Sequence, residues 1–271
     1  MGISFEIPPL VELIAELRWG APDLPQPIPA GIGFSFQVTP STSQEQFFSR
    51  FADAIASYGF GRVERLVPPG FGIIPFQPAY RFKKSPEKAE TTLYQLGPNV
   101  FSTHATPPYR SWEAFRPTIE TGIKVLLETR DKQQEKIPFD WIAVRYINAF
   151  ESRLTGGRST IEFLSEVLGF TIDLPASLHQ IRSPGATVEP LLRVTFPAES
   201  DYVMSVNLVA GAVSGNPAII MDSSVLTQRP VSSESDRLLE VLNKAHDLIH
   251  DSFIEMTKPI HLLMNPRSLA Q

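Results

Sequence analysis

The sequence predicts an α+β protein whose sheets are mostly antiparallel. Three observations predict this class: β-rich runs with period-two alternation, helical segments with apolar residues three and four apart, and turn-forming residues between successive strands. At 271 residues the chain is long enough for one large domain or two ordinary ones, and it can bury a substantial core. We expect helices on one face of each sheet, because an amphipathic helix and a half-apolar sheet bury their apolar sides against each other.

The first half of the chain predicts a strand, a helix, a meander of strands and a second helix. Residues 10–19 follow Pro8-Pro9 and alternate apolar with polar side chains, which is typical of a half-buried strand. A helix is expected to begin at Ser43, and a second one at Ser111. Three short β-rich runs lie between them, at residues 80–82, 91–96 and 100–104.

The second half predicts the same order of elements. Residues 141–150 form a strand, residues 159–168 a short helix, and Ser233 begins a long helix. Three β-rich runs lie before that helix, at residues 191–196, 202–209 and 218–226. The repeated order predicts two similar modules, residues 1–136 and 137–271, packed as a pseudo-twofold pair or as one inseparable domain.

Composition limits the classes of function. The chain contains no cysteine, which excludes disulfides, thiolate metal sites and cysteine nucleophiles. The N-terminal residues resemble no secretory signal and no apolar run approaches the length of a membrane helix, so we expect a soluble cytoplasmic protein without membrane contact. The formal net charge is -5, and the largest basic run is Arg81-Phe82-Lys83-Lys84, so nucleic acid is a disfavoured partner.

Several phrases together resemble a sporadically distributed family of uncharacterised bacterial proteins of about 250–270 residues. The phrases are Pro8-Pro9-Leu10-Val11-Glu12, Tyr109-Arg110-Ser111-Trp112-Glu113-Ala114-Phe115, Arg145-Tyr146-Ile147-Asn148, and Ala245-His246-Asp247-Leu248-Ile249-His250-Asp251-Ser252-Phe253. The resemblance spans most of the chain and implies no established activity or cofactor. The scattered occurrence of the family is compatible with mobile or defence-associated loci in bacteria.

His246 and His250 are the first candidate site. They stand four residues apart in the predicted last helix, a spacing that can hold a divalent metal. A zinc protease helix has Glu directly after its first His, whereas this chain has Asp247, and the sequence indicates no third ligand. Packing of the two rings beside the apolar stripe of the helix is therefore the favoured interpretation.

Arg145 and Asn148 are the second candidate site, because they interrupt an otherwise apolar strand. One hypothesis is an anion or carboxylate site formed by Arg145 on the sheet surface. The favoured alternative is a buried ion pair of Arg145 with Glu12 or Glu16, which requires the first strands of the two modules to pair.

Trp112 is the third candidate, at the start of the predicted second helix beside Glu113. The pair can form an aromatic pocket with a carboxylate. The favoured alternative is that Trp112 fixes the helix by packing, and that Glu113 interacts with the helix dipole.

The sequence lacks the glycine motifs of dinucleotide and triphosphate sites and the serine motif of hydrolases, so no cofactor is expected. We expect a non-catalytic binding or protein-interaction protein that works as a homodimer or with a protein partner, through a sheet face or the Pro-rich segment 22–29. A small-molecule ligand remains open. The alternatives are a metal-dependent hydrolase centred on His246 and His250, and a nucleic-acid-binding protein.

Overall fold

The computed structural model describes residues 3–20, 42–68, 71–84, 91–132, 134–183, 185–199 and 201–268, so the Pro-rich segment 22–29 lies outside the described residues. The strands are β1 (Ile3–Phe5), β2 (Leu10–Trp19), β3 (Arg62–Arg65), β4 (Tyr80–Lys83), β5 (Thr92–Gly97), β6 (Val100–Ala105), β7 (Phe139–Glu151), β8 (Leu191–Pro197), β9 (Tyr202–Val213), β10 (Asn216–Thr227) and β11 (Pro266–Ser268). The helices are α1 (Thr42–Ala56), α2 (Trp112–Thr129), α3 (Ser152–Thr155), α4 (Thr160–Glu166), α5 (Ala176–Ile181) and α6 (Ser235–Thr257), followed by a 3-10 helix at Lys258–Met264.

Nine of the described strands form one sheet in the order β3-β4-β5-β6-β2-β7-β10-β9-β8, and β1 pairs separately with β11. The ladders of β3 with β4, β4 with β5, β5 with β6, β6 with β2 and β8 with β9 are all antiparallel. The predicted α+β class and the antiparallel character are therefore confirmed. Strand β6, the last strand of the first meander, lies next to β2, and β10, the last strand of the second meander, lies next to β7. A repeat of the same elements would produce this order. The duplication, and the division at residues 136 and 137, stay predictions.

The chain divides into two compact units, which are described separately below. The first unit contains Met1–Glu12, Arg145–Val225 and Ala245–Gln271, and the second contains Leu13–Val144 and Leu226–Lys244. Each unit is built from segments that are distant in sequence.

In the second unit, α1 and α2 cover one face of the strands β2 to β6. Leu13, Leu17 and Trp19 lie on this face and are buried, because alternate residues of β2 point to the same side. The α1 residue Phe51 packs edge-on against the rings of Phe82 and Phe101, with centroid distances of 5.1 and 5.6 Å. Such aromatic contacts and the burial of the rings hold α1 on the sheet.

The first unit has its own aromatic and aliphatic core. Phe150 of β7 packs on Phe163 of α4 with a centroid distance of 5.0 Å, and both rings are fully buried. The helix α4 begins with a capping box, in which the Ser159 side chain accepts from the backbone of Glu162 and the Glu162 side chain accepts from Ser159. Reciprocal capping satisfies two backbone donors that a short helix leaves open.

The predicted elements are found with shifted ends, and several short ones were not expected. Five short elements have no counterpart in the sequence-based prediction: the strands β1, β3 and β11 and the helices α3 and α5. Each of these segments is too short to show a recognisable period of apolar residues. None of the helices in the described part of the chain has the length and apolarity needed to cross a bilayer.

Candidate functional site

The two candidate histidines lie on α6, and His246 lies beside Tyr146 of β7. The hydroxyl of Tyr146 lies 2.8 Å from Nδ1 of His246, and the two rings stack with a centroid distance of 6.0 Å. The ring of His250 lies 5.5 Å from that of His246. No group of three or more His, Asp or Glu side chains that could hold a metal occurs within the described residues. This geometry supports the packing interpretation, since one nitrogen of His246 already has a protein partner.

Arg145 holds a carboxylate of its own chain. Its Nε and one terminal nitrogen each lie 2.6 Å from an oxygen of Asp222, a residue of the neighbouring strand β10. A two-pronged bond of this kind fits the planar fork of arginine. Asp222 was not among the predicted partners, and the pair is not buried, because 47% of the Arg145 side chain is exposed. Glu16 pairs with Arg18 at 2.6 Å on its own strand. Glu12 lies half-buried in β2.

Asn148 is the buried member of the predicted Arg145 site, with 3% of its surface exposed. Because side chains alternate along a strand, Asn148 and Tyr146 point to the side opposite Arg145. Ser223 follows Asp222 and by the same rule points to that opposite side, where its hydroxyl is buried with no hydrogen-bond partner among the described residues. Asn148 and Arg145 therefore serve different faces of the sheet and do not form one site.

Trp112 joins two helices of the second unit. Its indole nitrogen donates to Oδ1 of Asn243 in α6 at 2.8 Å, and its ring packs edge-on against Phe115 with a centroid distance of 6.1 Å. The side chain is 7% exposed. A buried indole with its donor satisfied is typical of a structural anchor, which is the favoured interpretation.

A concentration of positive charge lies at the end of the described sheet where β3 is the last strand. Residues 61–84 contain five basic residues and one acidic residue, although the whole chain has a net charge of -5. We call this set the basic edge: Arg62, Arg65, Arg81, Lys83 and Lys84, grouped with Glu64. The antiparallel ladder of β3 and β4 places Arg62 beside Lys83 and Glu64 beside Arg81, so three cations meet one carboxylate on the same face.

The Glu64 carboxylate is the centre of the basic edge. It lies 3.0 Å from the Lys83 ammonium, 3.1 Å from Arg62 and 3.7 Å from Arg81. The pKa of Glu64 is lowered, chiefly because Lys83 donates a hydrogen bond to it; desolvation opposes this, and the charges of Lys83, Arg62 and Arg81 lower the pKa further. One carboxylate cannot neutralise three cations, so the basic edge keeps a positive charge at neutral pH.

Arg81 has hydrogen-bonding capacity that Glu64 does not use. Its Nε–H is buried and has no acceptor among the described residues, while about a third of the side chain, 32%, is exposed. The contact of a terminal nitrogen with Glu64, at 3.7 Å, is longer than a hydrogen bond, so the exposed part of the guanidinium can present its N–H fork to an incoming carboxylate. Arg81 is therefore the residue of the basic edge best suited to a second anion.

Ser102 and His104 form a pair that the sequence did not indicate. Ser102 Oγ lies 2.8 Å from His104 Nε2, a distance at which a histidine can activate a serine. The two residues are only 1% and 6% exposed, which favours a structural hydrogen bond within β6. The pair adds no support to a hydrolase.

Sequence reasoning identified Arg81-Phe82-Lys83-Lys84 as the largest basic run but did not predict the basic edge. The missing part was β3, whose residues Arg62–Arg65 contain one apolar side chain and hence no detectable alternation. The available indication was the charge balance of residues 61–84 taken together.

The comparisons with protein-family models, with curated proteins and with solved structures found no match to this chain. The resemblance to a sporadically distributed bacterial family therefore stays a prediction, and function has to be inferred from the geometry.

Proposed function

We propose that this chain is a non-catalytic binding protein that takes an acidic segment of a protein partner along the basic edge. The observation that supports it most strongly is the meeting of Arg62, Arg81 and Lys83 at the single carboxylate of Glu64. An acidic side chain of a partner would add the negative charge that this group lacks. Charge complementarity of this kind steers association and selects partners.

The position of the basic edge suits an extended segment. The strand β3 comes first in the strand order, and Arg62, Val63 and Arg65 are exposed. An edge strand offers backbone donors and acceptors to a segment that adds one more strand, and side chains beside it give specificity. In a partner strand with an acidic residue at every second position, all the acidic side chains can lie on the face that holds Arg62 and Lys83.

The other two candidate functions receive less support. A nucleic-acid-binding protein contacts many phosphates at once through a broad basic surface, whereas this chain is acidic overall and its basic edge holds only five of its 24 Lys and Arg residues. A metal-dependent hydrolase needs a third ligand beside His246 and His250, and the described residues offer no such group. We therefore keep the acidic protein segment as the proposed partner.

Binding of a fluorescein-labelled oligo-glutamate peptide, followed by fluorescence anisotropy, tests the proposal. We expect binding at low salt that weakens as salt rises, because exposed charges are screened. The Arg62→Glu variant should weaken binding about two-fold to thirty-fold, since an exposed ion pair contributes about 0.2–1 kcal/mol and the reversal replaces attraction by repulsion. Arg62 is the suitable position because its side chain is 52% exposed, so folding should survive the change.

Arg116→Glu is the matched control. Arg116 is an exposed residue of α2 that pairs with Glu120, and its reversal changes the net charge by the same amount. Equal weakening by both variants would mean that only net charge matters and would contradict the proposal. Stronger binding of a single-stranded oligonucleotide than of the peptide, lost again in Arg62→Glu, would replace it with the nucleic-acid alternative.

A further inference from the structure

The last strand of the sheet, β8, has an outer edge that differs from that of β3. Its seven residues pair with β9 from Leu191 with Val209 to Pro197 with Val203. β8 ends the strand order of the described sheet, and its only charged residue is Arg193. Edge strands of monomeric proteins are usually protected by several charges, by proline or by bulges, whereas β8 has one charge, Arg193, and one proline at its end, Pro197.

The direction of the backbone groups of β8 follows from one hydrogen bond. The N–H of Ala198 donates to the carbonyl of Tyr202 at 2.7 Å, so this pair is a hydrogen-bonded pair of the antiparallel ladder. Every second residue has the same orientation, so Phe196, Val194 and Leu192 direct their backbone groups to β9. Leu191, Arg193, Thr195 and Pro197 direct theirs outward. Proline occupies one of the outward positions, where its missing N–H breaks no bond to β9.

The side chains of β8 leave an apolar row half-covered. Leu192, Val194 and Phe196 share the face of their β9 partners Leu208, Val206 and Met204, which are buried. In contrast to these partners, Leu192 and Val194 are partly exposed and Phe196 is 43% exposed. A further strand beside β8 would cover this row and bury apolar area.

We propose that the occupant of this edge is β8 of a second copy of the chain, paired antiparallel about a twofold axis at Val194. This register places Arg193 opposite Thr195 of the partner copy and Leu192 opposite Phe196. The outward backbone groups of Arg193 and Thr195 then bond each other, and the apolar row continues across the axis. A twofold axis at Arg193 would place Arg193 opposite Arg193, which like-charge repulsion disfavours, and an axis at Thr195 would place Arg193 opposite Pro197, which has no N–H to donate.

A single introduced cysteine tests both the dimer and its register, because the chain contains no cysteine of its own. At the proposed axis Val194 faces its own copy as a non-hydrogen-bonded pair, with Cα atoms about 4.5 Å apart. That separation is within the range of about 4.4–6.8 Å that a disulfide needs. Val194→Cys should therefore form a covalent dimer under mild oxidation of the full-length protein, seen by non-reducing electrophoresis.

Leu192→Cys is the matched control on the same strand and face. In the proposed register the two cysteines of a Leu192→Cys dimer lie four residues apart along the strands, too far for a disulfide. A mixture of the Leu192→Cys and Phe196→Cys proteins should cross-link, because these two positions lie opposite each other. Efficient cross-linking of Arg193→Cys instead of Val194→Cys would overturn the register. Equal cross-linking of Val194→Cys and Leu192→Cys would overturn the interface.

Charge variants at Thr195 provide a measurement without cross-linking. Thr195→Arg places two like-charged pairs across the interface and should weaken the dimer, whereas Thr195→Asp places two opposite-charged pairs there and should strengthen it. Each change is expected to be about two-fold to thirty-fold in the dissociation constant, from two cross-strand pairs. Sedimentation velocity of the full chain measures it, with circular dichroism to confirm folding. A wild-type protein that stays monomeric at all concentrations, or equal dissociation constants for the two variants, would overturn the proposal.

Discussion

Gly122 lies in α2 where the helix passes over the rings of Tyr94 and Phe101, and replacing it with alanine measures how tightly helix and sheet are packed. A Cβ atom at this position would lie 2.6 Å from Tyr94 Cε1 and 2.7 Å from Phe101 Cζ. Favourable carbon contacts are about 3.5–4.0 Å, so the methyl group would be about 1 Å too close to both rings. Tyr94 cannot turn away freely, because its hydroxyl donates to the carbonyl of Thr118 at 2.7 Å.

Two opposing terms determine the result of Gly122→Ala. Alanine in a helix interior is more favourable than glycine by about 1 kcal/mol. Overpacking a filled core costs about 1–3 kcal/mol. The net expectation is a loss of about 1 kcal/mol in the free energy of unfolding, measured by urea denaturation followed by circular dichroism.

Gly61→Ala is the control for this experiment, because the nearest atom to its added Cβ is the Cβ of Ala56 at 3.9 Å. It should be neutral or stabilising by about 0.4–1 kcal/mol, through the lower entropy of the unfolded chain. If Gly122→Ala instead raises the stability by about 1 kcal/mol, as in an open helix, the close packing of α2 on the sheet is wrong. In a Phe101→Leu background the cost of Gly122→Ala should fall, since one of the two clashing atoms is gone.

Two further predictions concern single polar contacts. Trp112→Phe removes the donor to Asn243 and part of a buried ring, so it should lower the free energy of unfolding by about 1–3 kcal/mol. In the Trp112→Phe background, Asn243→Ala should have almost no additional effect on that free energy. Full additivity of the two changes would contradict the hydrogen bond. The pKa of Glu162 is lowered from its usual value of 4.5, chiefly because the backbone N–H of Ser159 donates to it. A carboxyl with a lowered pKa in the folded state stabilises above its unfolded pKa, and this contribution is lost as the pH falls through the folded value. When the pH is lowered from neutral to well below 4.5, the melting temperature of Glu162→Gln should therefore fall less than that of the wild type. Parallel curves of melting temperature against pH for the two proteins would exclude the capping contribution.

The long regular elements were predictable from the sequence because their periodicity is strong. The alternation of β2 and the apolar stripe of α6 each extend over many residues, so their type could be assigned without tertiary information. The start of a helix at Ser111 was also predicted, and the Ser111 side chain accepts a hydrogen bond from the backbone N–H of Ala114 as its N-cap.

The partners of the candidate residues were not predictable, because they depend on the order of strands in the sheet. Arg145 binds the carboxylate of Asp222, 77 residues further along the chain, which was not among the partners expected from the sequence. The bond between Tyr146 and His246 spans 100 residues and likewise depends on where α6 packs. Sequence identifies a charge that needs a partner, whereas the fold selects which partner it receives.

The basic edge shows the same limit in another form. Arg62 and Lys83 stand 21 positions apart and become neighbours only through the ladder of β3 with β4. The strand character of β3 arises from that pairing, because its own sequence, Arg-Val-Glu-Arg, has little preference for a strand. A short polar strand of this kind is visible only after the sheet is known.

The guanidinium of Arg81 provides the most direct test of the proposed binding function. Nuclear magnetic resonance can follow the Nε–H resonance of this side chain, assigned by its loss in Arg81→Lys, while the acidic peptide is added. We predict that the resonance of Arg81 shifts in proportion to binding and that of Arg116 does not, because Arg81 belongs to the basic edge whereas the Nε–H of Arg116, on α2, already donates to Glu120 at 2.9 Å. Saturated binding of the peptide with the Arg81 resonance unmoved would contradict the basic edge as the binding site.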